Sequence, residues 1–219
     1  MPNIVLPEFT PVVLPTFSLS DYYPIDLSVN NSELDAFDLA NPVELKHYIG
    51  ELTEKHNVQI LYGGYLEKRN LYKKSTYFTD SKEQRDIHLG VDFWCPVDSP
   101  VVAPFDGVVH SFNNNTNNGD YGPTLIIQHI FQETVFYTLY GHLSVESIRH
   151  LKVNQPIRKG EIIAYLGDAS VNGGYAPHLH FQLILDMGEY KGDFPGVCSE
   201  DKLSYYKEVT INPLHFLSM

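Results

Sequence analysis

Ten histidines occur in the 219-residue chain, and four of them fall in three short segments whose spacing suits chemistry. His88-Leu-Gly-Val-Asp92 sets an imidazole and a carboxylate four positions apart, and they can converge if the chain turns sharply at Gly90. His178-Leu179-His180 places two imidazoles on alternate positions. In a strand they share one face with Gln182 and Ile184, while Leu179, Phe181, Leu183 and Leu185 form an apolar face fit for burial. Tyr140-Gly141-His142-Leu143 is the third segment. Two histidines and an aspartate suit zinc with a fourth position left open. An open position means a water that loses its proton more readily beside the cation. Further imidazoles nearby can move protons or hold a developing oxyanion. No Glu lies in these segments, so an HExxH peptidase is excluded. Each segment alone also has an ordinary reading, as a hydrogen-bonded pair, a strand motif or a turn histidine, so the chemistry depends on their meeting.

The elements that would bring them together are mostly strands. Val101–Ala103, Gly107–Phe112, Thr124–Ile130, Thr134–Tyr140, Glu161–Leu166 and Leu179–Leu185 read as short β runs separated by turns. Asn113–Gly122 reads as a loop too polar to bury, and Ser144–Leu151 as one short helix. Upstream, Asn41-Pro42-Val43-Glu44 has the form of a helix start with a capping box. Leu45, Tyr48, Ile49 and Leu52 follow at helical spacing, and Asn57 is the expected stop. Residues 1 to about 40 read as an acidic, proline-punctuated arm lying on the domain or partly disordered. The expectation is a mainly β protein built on a twisted antiparallel sheet or sandwich. Residues 1–60 would form the arm and helix, and residues 61–219 the chemical domain.

Composition narrows the partners. Fifteen Lys and Arg against 27 Asp and Glu leave a net charge of −12, which argues against nucleic acid. Cys95 and Cys198 are too few for a disulfide framework and are expected as reduced thiols. No apolar run reaches the roughly 18 residues of a membrane span. No Lys or Arg precedes Lys46, and Pro7, Pro11 and Pro15 interrupt the apolar stretch Ile4–Leu19, so no secretory leader is visible. The expected location is therefore cytoplasmic, or periplasmic or secreted if a leader has been removed.

HLGVD at 88–92, YGHLS at 140–144 and APHLHFQ at 176–182 together resemble the lysostaphin/LytM-type zinc metalloendopeptidases, in that family's order. Pro100–Pro104 with Asp106–Val109, Val153–Gly160 followed by Glu161–Ala164, and Ile211–Leu214 support the likeness, which covers about residues 85–216. The resemblance implies that His88, Asp92 and His180 bind Zn2+. It makes His142 and His178 the catalytic imidazoles, one helping to deprotonate the metal water and the pair stabilising the tetrahedral intermediate. It implies the duplicated hybrid motif, a twisted antiparallel sheet under a groove, and hydrolysis of peptide bonds in peptidoglycan, often Gly-Gly or D-amino-acid links. His129 is read as structural, and His47, His56, His110, His150 and His215 as surface or packing residues. Tyr137 and Tyr140 are read as core or groove wall, with Phe93 and Trp94 packing behind the metal.

Three departures from that family stand out. A wall hydrolase is expected to be secreted, yet no leader is visible. The turn before the His-x-His segment is replaced by Gly167–Tyr175, bordering the site, and Asp186–Lys207 is inserted after the last strand. Gly64–Tyr72, Asp120–Thr124, Asn172-Gly-Gly and Gly192–Val197 also resemble the peptidase-like segment of large cytoplasmic phosphotransferase/class III aminotransferase fusion proteins. That likeness implies a small amide or peptide substrate, which Glu67 and Arg69 would contact unless they only form a surface ion pair. Asn30, Asn31, Asp35 or Asp38 of the arm would cover the metal in a latent form, against the simpler reading of an arm packed on the sheet. Three function classes follow: a peptidoglycan endopeptidase, a cytoplasmic zinc amidohydrolase or peptidase with a non-wall substrate, and a non-catalytic regulatory domain. The third typically lacks metal ligands, whereas all five expected residues are present.

Overall fold

A computed structural model describes residues 11–14, 18–70 and 84–216. Ile4, Pro7, Pro15, Leu71 and Tyr72, on which some of the readings above fall, lie outside the described residues. The arm packs where it is described. Val12 and Val13 are buried, and Val13 bridges Val101. A 3-10 turn then leads into β1 (Tyr22–Pro24), and a second turn at Ser32–Ala36 precedes α1 (Pro42–His56). Asn41 Oδ1 caps α1 by accepting the Val43 N–H at 3.0 Å, and Asn57 ends it in the left-handed region at φ 51°. Glu44 departs from a simple capping box. Its carboxylate accepts from the Asn41 side chain at 3.2 Å and from the Asp38 N–H at 2.6 Å, tying the helix start to the preceding turn. Leu45 and Tyr48 face inward and pack in one cluster with Leu61 and Trp94.

The strands follow as β2 (Ile60–Gly63), β3 (Ile87–His88), β4 (Val91–Trp94), β5 (Pro100–Val102), β6 (Gly107–Asn115), β7 (Gly122–Phe131) and β8 (Thr134–Gly141). After α2 (Val145–Ile148) come β9 (Pro156–Ile157), β10 (Ile162–Tyr165), β11 (His178–Ile184), β12 (Val197–Cys198), α3 (Leu203–Val209) and β13 (Thr210–Ile211). Among the described residues, nine strands form one sheet in the order β1-β2-β4-β11-β8-β7-β6-β9, with β13 also on β11. β5 pairs with β10, and β3 with β12, in small separate sheets. The protein is mainly β as expected. One difference is that the sheet is mixed, because β1 from the arm runs parallel to β2, Tyr22 opposite Ile60.

β11 is the central strand. Its apolar residues Leu179, Phe181 and Leu183 join Val91, Phe93, Leu125, Ile127 and Tyr140 in the main core. Each large side chain there contributes roughly 1.5–3 kcal/mol of burial. Ile184, on the opposite face, packs with Ile126, Leu139, Phe194, Cys198, Tyr206 and Val209. The insertion at 186–207 thus covers the second face of the sheet and supplies β12 and the start of α3. The Asn113–Gly122 loop also differs from its reading. β6 reaches Asn115, and Asp120 and Tyr121 are buried. Its polar groups find partners within the loop: Asp120 accepts from the Tyr121 N–H at 2.8 Å and from the Asn117 side chain at 3.2 Å.

Cys95 and Cys198 are separate buried thiols, and burial pushes them up to about 12 and about 11. Among the described residues, no helix is long and apolar enough to cross a membrane.

His129 is a buried fixture between β7 and β6. Nδ1 lies 2.8 Å from the Asp106 carbonyl and Nε2 2.7 Å from Thr138 Oγ1. Burial lowers its pKa to about 4, against the opposing effect of that carbonyl. The unfolded chain therefore takes up a proton on this residue near pH 6.5 that the folded chain refuses until about 4. Its contribution is whole above pH 6.5 and is lost as pH falls toward 4, at up to ~1.4 kcal/mol per pH unit. Urea unfolding of wild type and His129→Gln across pH 4–7 should show a shallower acid loss in the variant. Identical slopes would mean that His129 titrates alike in both states.

Candidate metal centre

Strand register assembles the centre. β11 runs antiparallel to β4 with His180 opposite Asp92 and His178 opposite Trp94, and His180 also faces Gly141 of β8. His88 comes in from β3, where it pairs with Val197. His142 follows β8 directly and adopts φ 63°, a left-handed conformation uncommon for a non-glycine residue. Its N–H bonds the Tyr121 carbonyl and its own carbonyl accepts from the Gly167 N–H, both at 2.9 Å, which holds that conformation in place. The structure thus brings together all five residues singled out from the sequence. His88, Asp92, His142, His178 and His180 are each at most 4% exposed.

Three acceptor atoms converge. His88 Nε2 lies 2.9 Å from His180 Nδ1 and 3.2 Å from Asp92 Oδ1, and His180 Nδ1 lies 3.1 Å from the same oxygen. The far nitrogens show where the ring protons belong. His88 Nδ1 donates to the Gly64 carbonyl at 2.9 Å, and His180 Nε2 donates to Gln182 Oε1 at 3.1 Å. Gln182 is itself oriented, because its Nε2 donates to the Pro195 carbonyl at 3.2 Å. Burial, then the Arg69 charge, lowers His88 to about 3. Burial would raise Asp92, but the permanent charge of Arg69 at 2.6 Å opposes it, and the carboxyl lies well below the usual carboxylate range. A nitrogen from each of two imidazoles and an oxygen of an ionised carboxylate therefore converge in one buried place. That donor set fits a divalent metal ion, with orienting partners behind each ligand.

The other two imidazoles are anchored alike. His142 Nδ1 donates to the Asn172 carbonyl at 2.8 Å, and His178 Nδ1 to the Ala176 carbonyl at 2.7 Å. Both leave Nε2 as an acceptor, and the rings lie 4.3 Å apart. Burial lowers His178 to about 4 and His142 well below its ordinary value, so both are neutral near pH 7. Trp94 stacks on His178 at 4.1 Å, beside the site, while Phe93 belongs to the main core.

A cavity of about 210 Å³ opens over this floor. Tyr121, Tyr175, Arg69 and the insertion residues Tyr190 and Asp193–Val197 help to wall it. Gly167–Tyr175 borders the site as read from the sequence, and Asn172 is its buried pivot, exchanging two hydrogen bonds with Tyr175. Tyr121 was hidden in a polar loop. Its hydroxyl lies 3.1 Å from Gln182 Oε1 and from the Phe194 carbonyl, and 3.4 Å from His180 Nε2. Glu67 and Arg69 do pair, but the surface placement is corrected, because Arg69 is 1% exposed. Backbone bonds from Leu66, Glu67 and Arg69 to Asp86 and His88 draw its side chain inward, where Nη1 meets Asp92 Oδ2 at 2.6 Å. Asn30, Asn31, Asp35 and Asp38 are not among the residues lining this cavity.

Two histidines and an aspartate in a metal-ligating arrangement, with two further anchored histidines on a β-sheet floor, define a metallopeptidase-type centre. Residues 86–191 match peptidase family M23, and that stretch is homologous to metallopeptidases of the family. It is 35% identical over 99 residues to an uncharacterized metalloprotease of Haemophilus influenzae, covering 45% of this chain and 19% of that protein. It is 34% identical over 96 residues to the DD-carboxypeptidase/endopeptidase Mpg of Neisseria meningitidis, covering 44% and 20%. Lysostaphin of Staphylococcus staphylolyticus is 30% identical over 122 residues, covering 55% and 22%. The matches thus span about a fifth of the length of these relatives. Among solved structures, the catalytic domain of lysostaphin from Staphylococcus simulans aligns at 25% identity with a TM-score of 0.44, covering 72% of this chain and 89% of that one.

Gly90 sits at the bend between β3 and β4 across which His88 and Asp92 converge, and it matters through space as well. It is not in the left-handed region, but a Cβ there would lie 2.7 Å from His180 Nε2 and from the Phe181 carbonyl. Gly90→Ala should push His180 off its position and weaken Zn2+ binding by roughly 10–100-fold, as disturbed orienting partners do. Competition with a chromophoric chelator measures this. Wild-type affinity in the variant would show that His180 has room to spare.

Proposed function

We propose that the chain is a zinc metallopeptidase domain that hydrolyses peptide bonds in peptidoglycan stem peptides or cross-links. His88, Asp92 and His180 would hold the metal. The observation that carries the reading is the convergence of two imidazole nitrogens and a carboxylate oxygen beside two histidines whose Nδ1 protons are already committed to carbonyls. Zinc bound there would supply Lewis acidity, polarising a carbonyl and acidifying a water. The chain's own residues supply the rest. Neutral Nε2 of His142 or His178 accepts a proton, and the ring that takes it becomes a cationic N–H donor for the developing oxyanion and later for the leaving amine. The Asn172 and Ala176 carbonyls fix both rings through the exchange. The cavity walls align the substrate and exclude water. The peptidoglycan DD-endopeptidase relatives of Vibrio cholerae, 32% and 35% identical over about 45% of this chain, support the choice of substrate.

A second reading, hydrolysis of a small amide or peptide outside the cell wall, is favoured by one observation. The insertion residues Tyr190–Val197 wall one side of the cavity, which suits a shorter ligand than an open groove does. A non-catalytic regulatory role finds no support in a site that retains all five residues.

The test is metal content and hydrolysis measured together, on purified peptidoglycan and on short Gly-rich and D-amino-acid peptides. His180→Ala should lose stoichiometric zinc. His142→Ala and His178→Ala should keep zinc and lose about 10²–10⁴-fold in rate, the usual worth of a positioned acid or base. Cleavage of short peptides with intact peptidoglycan untouched would move the reading to the non-wall substrate. Undiminished cleavage by all three variants would overturn the mechanism.

A further inference from the structure

We infer that Arg69 is a positioning residue that reserves one oxygen of Asp92, so that this carboxylate offers the metal a single donor. The inference rests on the metal-site reading above. Asp92 divides its two oxygens between two neighbourhoods. Oδ1 faces His88 Nε2 and His180 Nδ1, while Oδ2 accepts from Arg69 Nη1 at 2.6 Å. An Asp with both oxygens free can swing to chelate a cation through the pair, which uses up a coordination position. A charge-assisted bond to a buried guanidinium opposes that swing.

Arg69 is fixed from behind. Its Nε donates to Glu67 Oε2 at 2.5 Å, and Glu67 Oε1 accepts the Leu27 N–H at 3.1 Å. Val29 N–H also bonds the Lys68 carbonyl at 2.9 Å. A chain of contacts therefore runs from the N-terminal arm through Glu67 and Arg69 to Asp92. Gly64 leaves room for it, because a Cβ there would sit 1.9 Å from Arg69 Nη2, and φ is +109°. The same glycine's carbonyl orients His88, so residues 64–69 govern two of the three ligands. Lys cannot replace this arrangement fully, since an ammonium does not bridge two carboxylates in a fixed plane as a guanidinium does.

The experiment substitutes Co2+, whose visible absorption falls as coordination number rises, in wild type, Arg69→Met, Arg69→Lys and the double variant Arg69→Met/Glu67→Gln. The double variant removes the buried Glu67 charge that Arg69→Met leaves without this partner, and near-UV circular dichroism checks the fold. Both Met-containing variants should bind cobalt stoichiometrically with absorption reduced several-fold, and should lose roughly 10–100-fold in hydrolysis. Arg69→Lys should recover part of the wild-type spectrum. A wild-type spectrum in the folded Met variants, at any affinity or activity, would overturn the inference while leaving the metal site standing. Failure of wild type itself to bind cobalt or zinc would overturn the metal-site reading, and this inference with it.

Discussion

Convergence of two imidazole nitrogens and a carboxylate oxygen, held at 2.9–3.2 Å in a buried place, is the constraint the rest of the structure answers to. The far ring nitrogens face the Gly64 carbonyl and Gln182 Oε1, which turns the near ones toward each other. A low local dielectric makes the crowding more costly than in water. Such an arrangement persists only if backbone pairing over-determines it. The antiparallel register that sets His180 against Asp92 is its structural expression.

The division of labour between floor and walls follows. The floor is made from β4, β8 and β11, buried on both faces and laced by ladder hydrogen bonds. The walls are made from loops that carry their own polar partners, as Asp120 and Asn172 illustrate. A rigid floor fixes the chemistry, and the loops are free to set the ligand's shape. In this chain the insertion residues Asp193–Val197 serve both, for they line the cavity and also bond to the floor through the Pro195 carbonyl and the pairing of Val197 with His88.

Much of this was legible in the residues, for identifiable reasons. Alternation in His178–Leu185 gives the central strand and both its faces, since a period of two survives any tertiary context that buries one face. Asn41, Pro42 and Asn57 mark a helix whose ends depend on local bonds alone. The five site residues were separate candidates until the resemblance to a known family joined them. Other features were out of reach of local pattern. β3, β12 and β13 have two residues each, too few to show any period. Arg69 meets Asp92 across 23 positions, and charged sequence around it reads as surface. Tyr121 sits among asparagines and glycines whose polarity suggests solvent, although their hydrogen bonds turn inward. Gly90 signals a bend by type, but its further service as clearance for a neighbouring ring shows only in space.

The sheet's two ends carry a further consequence. Among the described residues, β1 finishes one end with three residues, the last of them Pro24, and β9 finishes the other with two, the first of them Pro156. Proline has no N–H to donate, and strands this short make poor templates for an added neighbour. An incoming extended peptide therefore finds little ladder to continue at either end, and docking by strand addition is disfavoured. A peptide laid instead across the sheet's face would be held by side chains and loop carbonyls. Selectivity in such a mode is read from the width and chemistry of the walls, not from pairing along an edge.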